Sequence, residues 1–152
     1  MKVGIWIFGL AMALALMGCE SESGGEETGQ EETGQEETGE EAEATLSNIN
    51  ETIFVPRCVA CHTEMAVSAG GAGGLVLEGA GIHEALVDVQ SEWAPLLDRV
   101  TPGDPDNSFL MVKILGLQGF GEGDAMPPLG GLLGDDEVDL IRQWILDGAE
   151  NN

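Results

Sequence analysis

"RCVACH", Arg57 to His62, places two cysteines three apart and a histidine directly after the second. The spacing fits three chemistries. A thiol redox pair uses Cys-x-x-Cys in a βαβ setting. A zinc site uses it as half of a tetrahedral ligand set. Covalent haem attachment uses all of Cys-x-x-Cys-His. Two intervening residues let one backbone turn present both sulfurs to the two vinyl groups on one porphyrin edge, and the adjoining imidazole then falls under the iron. With three cysteines and two histidines in 152 residues, chance puts this pattern in about one such chain per thousand. No βαβ pattern precedes Cys58, which disfavours the redox pair. Zinc needs four ligands, and beyond the motif only His83 remains within 46–152 as a nitrogen or sulfur ligand of the usual kind. The sequence therefore predicts one covalent haem c, with Cys58 and Cys61 as thioether positions and His62 as proximal iron ligand.

The sixth ligand is sought on the other side of the chain. Met126 lies in "GDAMPPLGG", Gly123 to Gly131. Pro127 biases Met126 towards extended backbone. The two prolines also remove two backbone donors, which suits a segment pressed against an apolar ring. A thioether is a soft, neutral ligand that favours ferrous iron and raises the potential. Met65 is too close to His62 to reach the opposite face, and Met111 has the spacing of a core residue. His83 stands as the alternative sixth ligand, giving a bis-His site. Met126 is the expected distal ligand.

Upstream, Met1-Lys2 and the apolar run Val3 to Met17 read as an export signal over 1–18, too short for a comfortable membrane span. The run ends in "LMGC", Leu16 to Cys19, which resembles the lipobox of bacterial lipoproteins. That resemblance implies cleavage before Cys19 and a diacylglycerol on its sulfur. If Cys19 carries lipid and the other two cysteines carry haem, no thiol is left over. Residues 19–45 then form an acidic tether. "EETGQ" occurs at 26–30 and 31–35 and "EETGE" at 36–40. This short period has no apolar face to bury, so the segment is expected to be disordered. As a coil it would reach roughly 28 Å, and at most about 90 Å when stretched.

Charge excludes one class of partner. The chain carries 28 acidic and 5 basic residues, a net of −23. Nucleic acid binding needs clustered Lys and Arg, and residues 45–152 hold 17 acidic against 4 basic, a net of −13. The Gly-rich stretch 70–74 lacks GxGxxG spacing and a preceding strand, so it is no dinucleotide site.

The folded part is expected over 46–152, mostly α with long Gly-rich loops. Asn48 and Glu51 suggest a capping box. Ile49, Ile53 and Phe54 share a face, and Pro56 should end or kink that helix. Ile82 to Leu97 has helical spacing at Leu86, Val89 and Trp93. "TPGDPDNS", Thr101 to Ser108, is a turn region, after which Asn107 or Ser108 caps a short helix ending at Gly116. A last helix opens on Asp135 and Asp136, buries Val138, Ile141, Trp144 and Ile145, and stops at Gly148. A chain this rich in loops needs something large at its centre.

Several stretches together, "IFVPRCVACH", "LVDVQS", "RVTPGDPDNSFLMVKI", "AMPPLGG" and "LIRQWILDGA", carry a family resemblance. Residues 49–150 resemble a bacterial monohaem cytochrome c domain of the small class I type, often found in exported lipoproteins. The resemblance implies cytochrome c-like helices wrapped round a covalent haem, with first and last helices crossing and His62 and Met126 as axial ligands. His83 departs from it, standing where relatives often carry an aromatic. The implied function is single-electron transfer on the periplasmic side of a bacterial membrane. Partners would be redox proteins such as a dehydrogenase or oxidase, with the membrane engaged through the lipid anchor. A five-coordinate haem enzyme or sensor, and a fixed electron-transfer subunit of a larger oxidoreductase, are the alternatives. Arg57 and Arg99 are the cations near the haem segments, available for a propionate or a surface ion pair.

Overall fold

A computed structural model describes residues 42–152; the expected export segment, Cys19 and the glutamate repeats lie outside them. Among the described residues the fold is helical and holds no sheet, in line with a mainly α chain. Isolated bridges join Val87 to Val100, Gln90 to Asp98 and Asp98 to Ser108. No described helix is long and apolar enough to cross a membrane.

Helix α1 (Leu46–Ile49) opens one turn earlier than the capping-box pattern implies. Thr45 is the cap, its hydroxyl accepting the Asn48 N–H at 3.2 Å. Asn48 instead lies inside the first turn and donates its side-chain amide to the Glu43 carbonyl at 2.8 Å. Both residue types cap well, but starting at Thr45 lets Leu46 enter the core. The chain then widens into a π-helical turn over Asn50–Phe54 and returns to α geometry in α2 (Val55–Arg57). Pro56 therefore does not stop the helix. Its ring would collide with a carbonyl four residues back and it offers no N–H. A turn closed between residues five apart, such as Val55 N–H to Asn50 O, relieves that conflict.

Two short helices follow, α3 (Glu64–Ser68), capped by Thr63, and α4 (Ile82–Leu86). The long helix expected over 82–97 is not formed. After Leu86 the backbone turns extended at Val87 and left-handed at Asp88, with φ +56°. Residues 87–100 then fold back on themselves, with Arg99 N–H donating to Val89 O at 2.7 Å and Val100 N–H to Leu86 O at 3.1 Å. Leu86 and Val100 are fully buried by that reversal, so the apolar spacing reports core contacts made from a loop.

Helix α5 (Phe109–Ile114) is preceded by a 3-10 turn, Pro105–Asn107. Ser108 occupies the N-cap position without capping by its side chain. Its buried hydroxyl donates to Asp104 O at 2.8 Å and accepts from Thr101 N–H at 2.9 Å, tying the turn together. Asn107 does not cap the helix either; its N–H is bound by Asp104.

The last helix, α6 (Asp135–Leu146), is as the sequence predicts. Its first turn is acidic, and the Glu137 carboxylate accepts the Gly134 N–H at 2.8 Å. At the far end Gly148 N–H bonds Ile145 O and Ala149 N–H bonds Trp144 O, a Schellman closure. Gly148 takes φ +104°, a conformation glycine adopts without strain. Helices α1 and α6 pack together, and Ile49, Ile53, Ile141, Trp144 and Ile145 are buried in one core. Asn152 closes this layer by accepting the open N–H groups of Leu46 and Ser47, each at 2.9 Å.

Candidate functional site

The turn after α2 sets up the motif. Cys61 N–H and His62 N–H both reach the Cys58 carbonyl at 3.1 Å. This tight turn brings Cys58 and His62 to the wall of one cavity of about 300 Å³, while Cys61 is exposed and stands outside that wall. Any group bonded to both sulfurs must therefore present one edge at the rim.

His62 is held at two points by one extended segment. Its backbone carbonyl accepts Leu77 N–H at 2.8 Å, and its Nδ1 lies 3.1 Å from Leu75 O. A carbonyl only accepts, so Nδ1 carries the proton and Nε2 keeps its lone pair. Metal-binding histidines are oriented by this kind of contact. Burial holds the imidazole below its usual proton affinity; the Leu75 bond opposes this, and the cations of Arg99 and Lys113 reinforce it. His62 is thus neutral near pH 7.

Met126 lines the same cavity as Cys58 and His62, beside the buried Pro127. Its N–H donates to Lys113 O at 2.9 Å, so α5 sets its height. His83 does not line the cavity. Its Nε2 donates to Ala149 O at 2.9 Å, which fastens α4 to the end of α6. Met111 is core, as its spacing implies, and Met65 is exposed.

The rest of the wall is mostly apolar, with Phe54, Leu77, Leu86, Phe109, Ile114 and Ile141 facing inward. Trp93 also lines it, from the 87–100 loop rather than from a helix. It rests against a left-handed turn at Ala72–Gly74, where a Cβ on Gly73 would come 2.5 Å from the indole Nε1. Arg99 and Lys113 are the two cations on the wall. Arg99 donates to Ala85 O at 2.8 Å and Gly73 O at 3.1 Å; among the described residues no carboxylate lies within 4.0 Å of it, though the Glu92 charge partly offsets the effect of its burial. Arg57 points elsewhere, paired with Glu137 at 3.3 Å and with the Gly131 and Leu132 carbonyls. Lys113 was not singled out by sequence. The signal for it was a lone lysine inside the apolar run "FLMVKIL".

Chemically, these features match an iron porphyrin better than the rival ligands. A mostly apolar slot with one unbonded imidazole nitrogen, one thioether, the Asp124 carboxylate and two cations that have no carboxylate within 4.0 Å among the described residues fits a flat apolar ring that bears two carboxylates. Burial pushes the Cys58 thiol up to about 11, whereas a working redox thiol needs a lowered value. Among the described residues no three His, Cys, Asp or Glu side chains converge to hold a metal ion directly. No protein-family model, no curated protein and no solved structure matches the chain.

Proposed function

We propose that the chain is a one-electron carrier of the cytochrome c kind, with haem c joined to Cys58 and Cys61 and held between His62 and Met126. One observation carries this most of all. Cys58, His62 with its Nε2 free, and Met126 share one apolar cavity although 64 residues separate the last two.

When bound, haem supplies a ferric–ferrous couple that exchanges one electron. The chain's residues then do the rest. Leu75 O fixes the tautomer and direction of His62, so the imidazole meets iron without rotating. Met126 supplies a soft neutral donor that favours the reduced state. His62 and Met126 would together hold the iron and leave it no open site for a substrate, so the protein would pass electrons without changing bonds itself. The apolar wall excludes water and lowers the local dielectric, which also shifts the couple. Arg99, without a carboxylate partner, is the side chain best placed to pair with a propionate. Cys19, through lipid, would anchor this carrier to the periplasmic side of a bacterial membrane, where it would exchange electrons with redox proteins.

The test uses full chain matured in a host with haem-attachment machinery. Reduced absorption in alkaline pyridine, with intact mass, should show one haem c and one lipidated cysteine. A colourless product with both motif thiols open to alkylation rejects haem attachment. Met126→Ala should lower the potential and open the iron to carbon monoxide. Wild-type potential and spectrum in that variant would remove Met126 as ligand, and rapid carbon monoxide uptake by the unaltered protein would favour a five-coordinate enzyme or sensor.

A further inference from the structure

Lys113 lies in α5 among apolar neighbours and is 9 % exposed. Burial lowers its proton affinity, with the Asp124 and Glu122 carboxylates partly offsetting that. Among the described residues its ammonium has no carboxylate within 4.0 Å. Its nitrogen lies 5.7 Å from the Phe109 ring centroid and donates to the Glu122 carbonyl at 2.8 Å.

That carbonyl belongs to the stretch carrying Met126. Segment 118–126 has no regular structure, and Gly121 and Gly123 take φ of +89° and +77°. Two of its hydrogen bonds close within it, from Gly119 N–H to Glu122 Oε2 and from Glu122 N–H to Gly119 O. Two others leave it, and both end on Lys113: the ammonium to Glu122 O, and Met126 N–H to Lys113 O. One residue thus grips the loop at two points, four residues apart.

Resting on the haem proposal above, we propose that Lys113 is a positioning residue for Met126, its buried ammonium clamping the 118–126 loop so that the thioether stays over the cavity. The backbone bond survives any substitution at 113. The ammonium contact does not, and it is the contact that restrains the loop upstream of Met126. The contact is part-buried, so water competes for it less than at an exposed site.

The experiment uses mature, haem-loaded full-length protein. Lys113→Met keeps side-chain bulk and removes the charge. Amide exchange across 118–126 and the rate of cyanide uptake by the ferric protein should both rise about 10- to 100-fold, the loss expected for a charged hydrogen bond. Lys113→Arg, which still donates, should restore both to within a few-fold of wild type. If Lys113→Met does not accumulate, Lys113→Gln, shorter and uncharged, is measured instead and should show the same rise. Wild-type exchange in the neutral variants overturns the clamp. Faster exchange with unchanged cyanide uptake overturns its link to the iron. Met126→Ala run alongside separates the failures: if that variant also takes up cyanide at the wild-type rate, the ligand assignment has failed, whereas a fast Met126→Ala with a silent Lys113→Met means the clamp alone has failed.

Discussion

The imidazole of His62 has two nitrogens, and the fold consumes only one of them. Leu75 O holds Nδ1–H, and among the described residues Nε2 has no hydrogen-bond partner on a side chain that lines the mostly apolar cavity. A sequence shows the histidine but not the carbonyl that directs it, because the partner is a backbone atom 13 residues away. Cys58 is similar. Its motif was plain, yet its thiol chemistry depends on burial. While both motif thiols are free, burial raises this thiol from 9.0 to about 11, with Arg57 opposing and Glu137 and Cys61 adding. The folded state then holds the proton more tightly than the unfolded state. Stability from this group is fully present below pH 9 and is lost as pH rises through about 11. Urea unfolding of haem-free chain at rising pH should show that decline, and Cys58→Ser should remove it. At pH 8 iodoacetamide should label Cys58 at about a hundredth of the rate of a thiol titrating at its ordinary value, since thiolate is the reactive form. Labelling of Cys58 at the ordinary rate would mean that the turn forms only after the haem is in place.

Helices were read from sequence with uneven success, and the reason is physical. Helix α6 was legible because its caps, dipole and apolar face all agree within 12 residues. The 82–97 stretch was misread because Leu86, Val89 and Trp93 repeat at helical spacing, while the left-handed Asp88 and the pairing with Val100 come from tertiary contacts. The first helix was found but its start was misplaced, since Thr45 and Asn48 are both good caps and only the burial of Leu46 decides between them. That last point is measurable. Thr45→Ala removes the hydroxyl that accepts Asn48 N–H and should cost about 1 kcal/mol. Asn48→Ala, inside the turn and half-buried, removes no cap and should cost less, and denaturant midpoints of the two variants rank them. Trp144→Ala tests the layer between α1 and α6 more severely. It empties a site that is 1 % exposed and frees the Glu150 carbonyl, for a loss of about 3–5 kcal/mol. A cost near 1 kcal/mol would show that packing outside the helix pair carries most of the core's stability.

Charge is organised over the whole domain. Residues 45–152 hold 4 basic side chains against 17 acidic ones. Two of the four, Arg57 and Arg142, are in ion pairs with Glu137 and Asp106. The other two, Arg99 and Lys113, face the cavity. With a net of −13 over residues 45–152, the long-range field of the domain is negative. Such a field raises encounter rates with positive partners and lowers them with negative ones, and salt erases both effects once the Debye length falls to about 10 Å near 0.1 M. If the chain is the electron carrier proposed above, this field would select its partner by sign before any contact forms. Stopped-flow oxidation of the ferrous protein provides the measurement. With tris(bipyridyl)cobalt(III), a cation, the second-order rate should fall as salt rises. With hexacyanoferrate(III), an anion, it should climb over the same range. If both oxidants respond to salt alike, the carboxylates serve solubility alone, and the partner's charge would have to be read from some smaller patch at the rim.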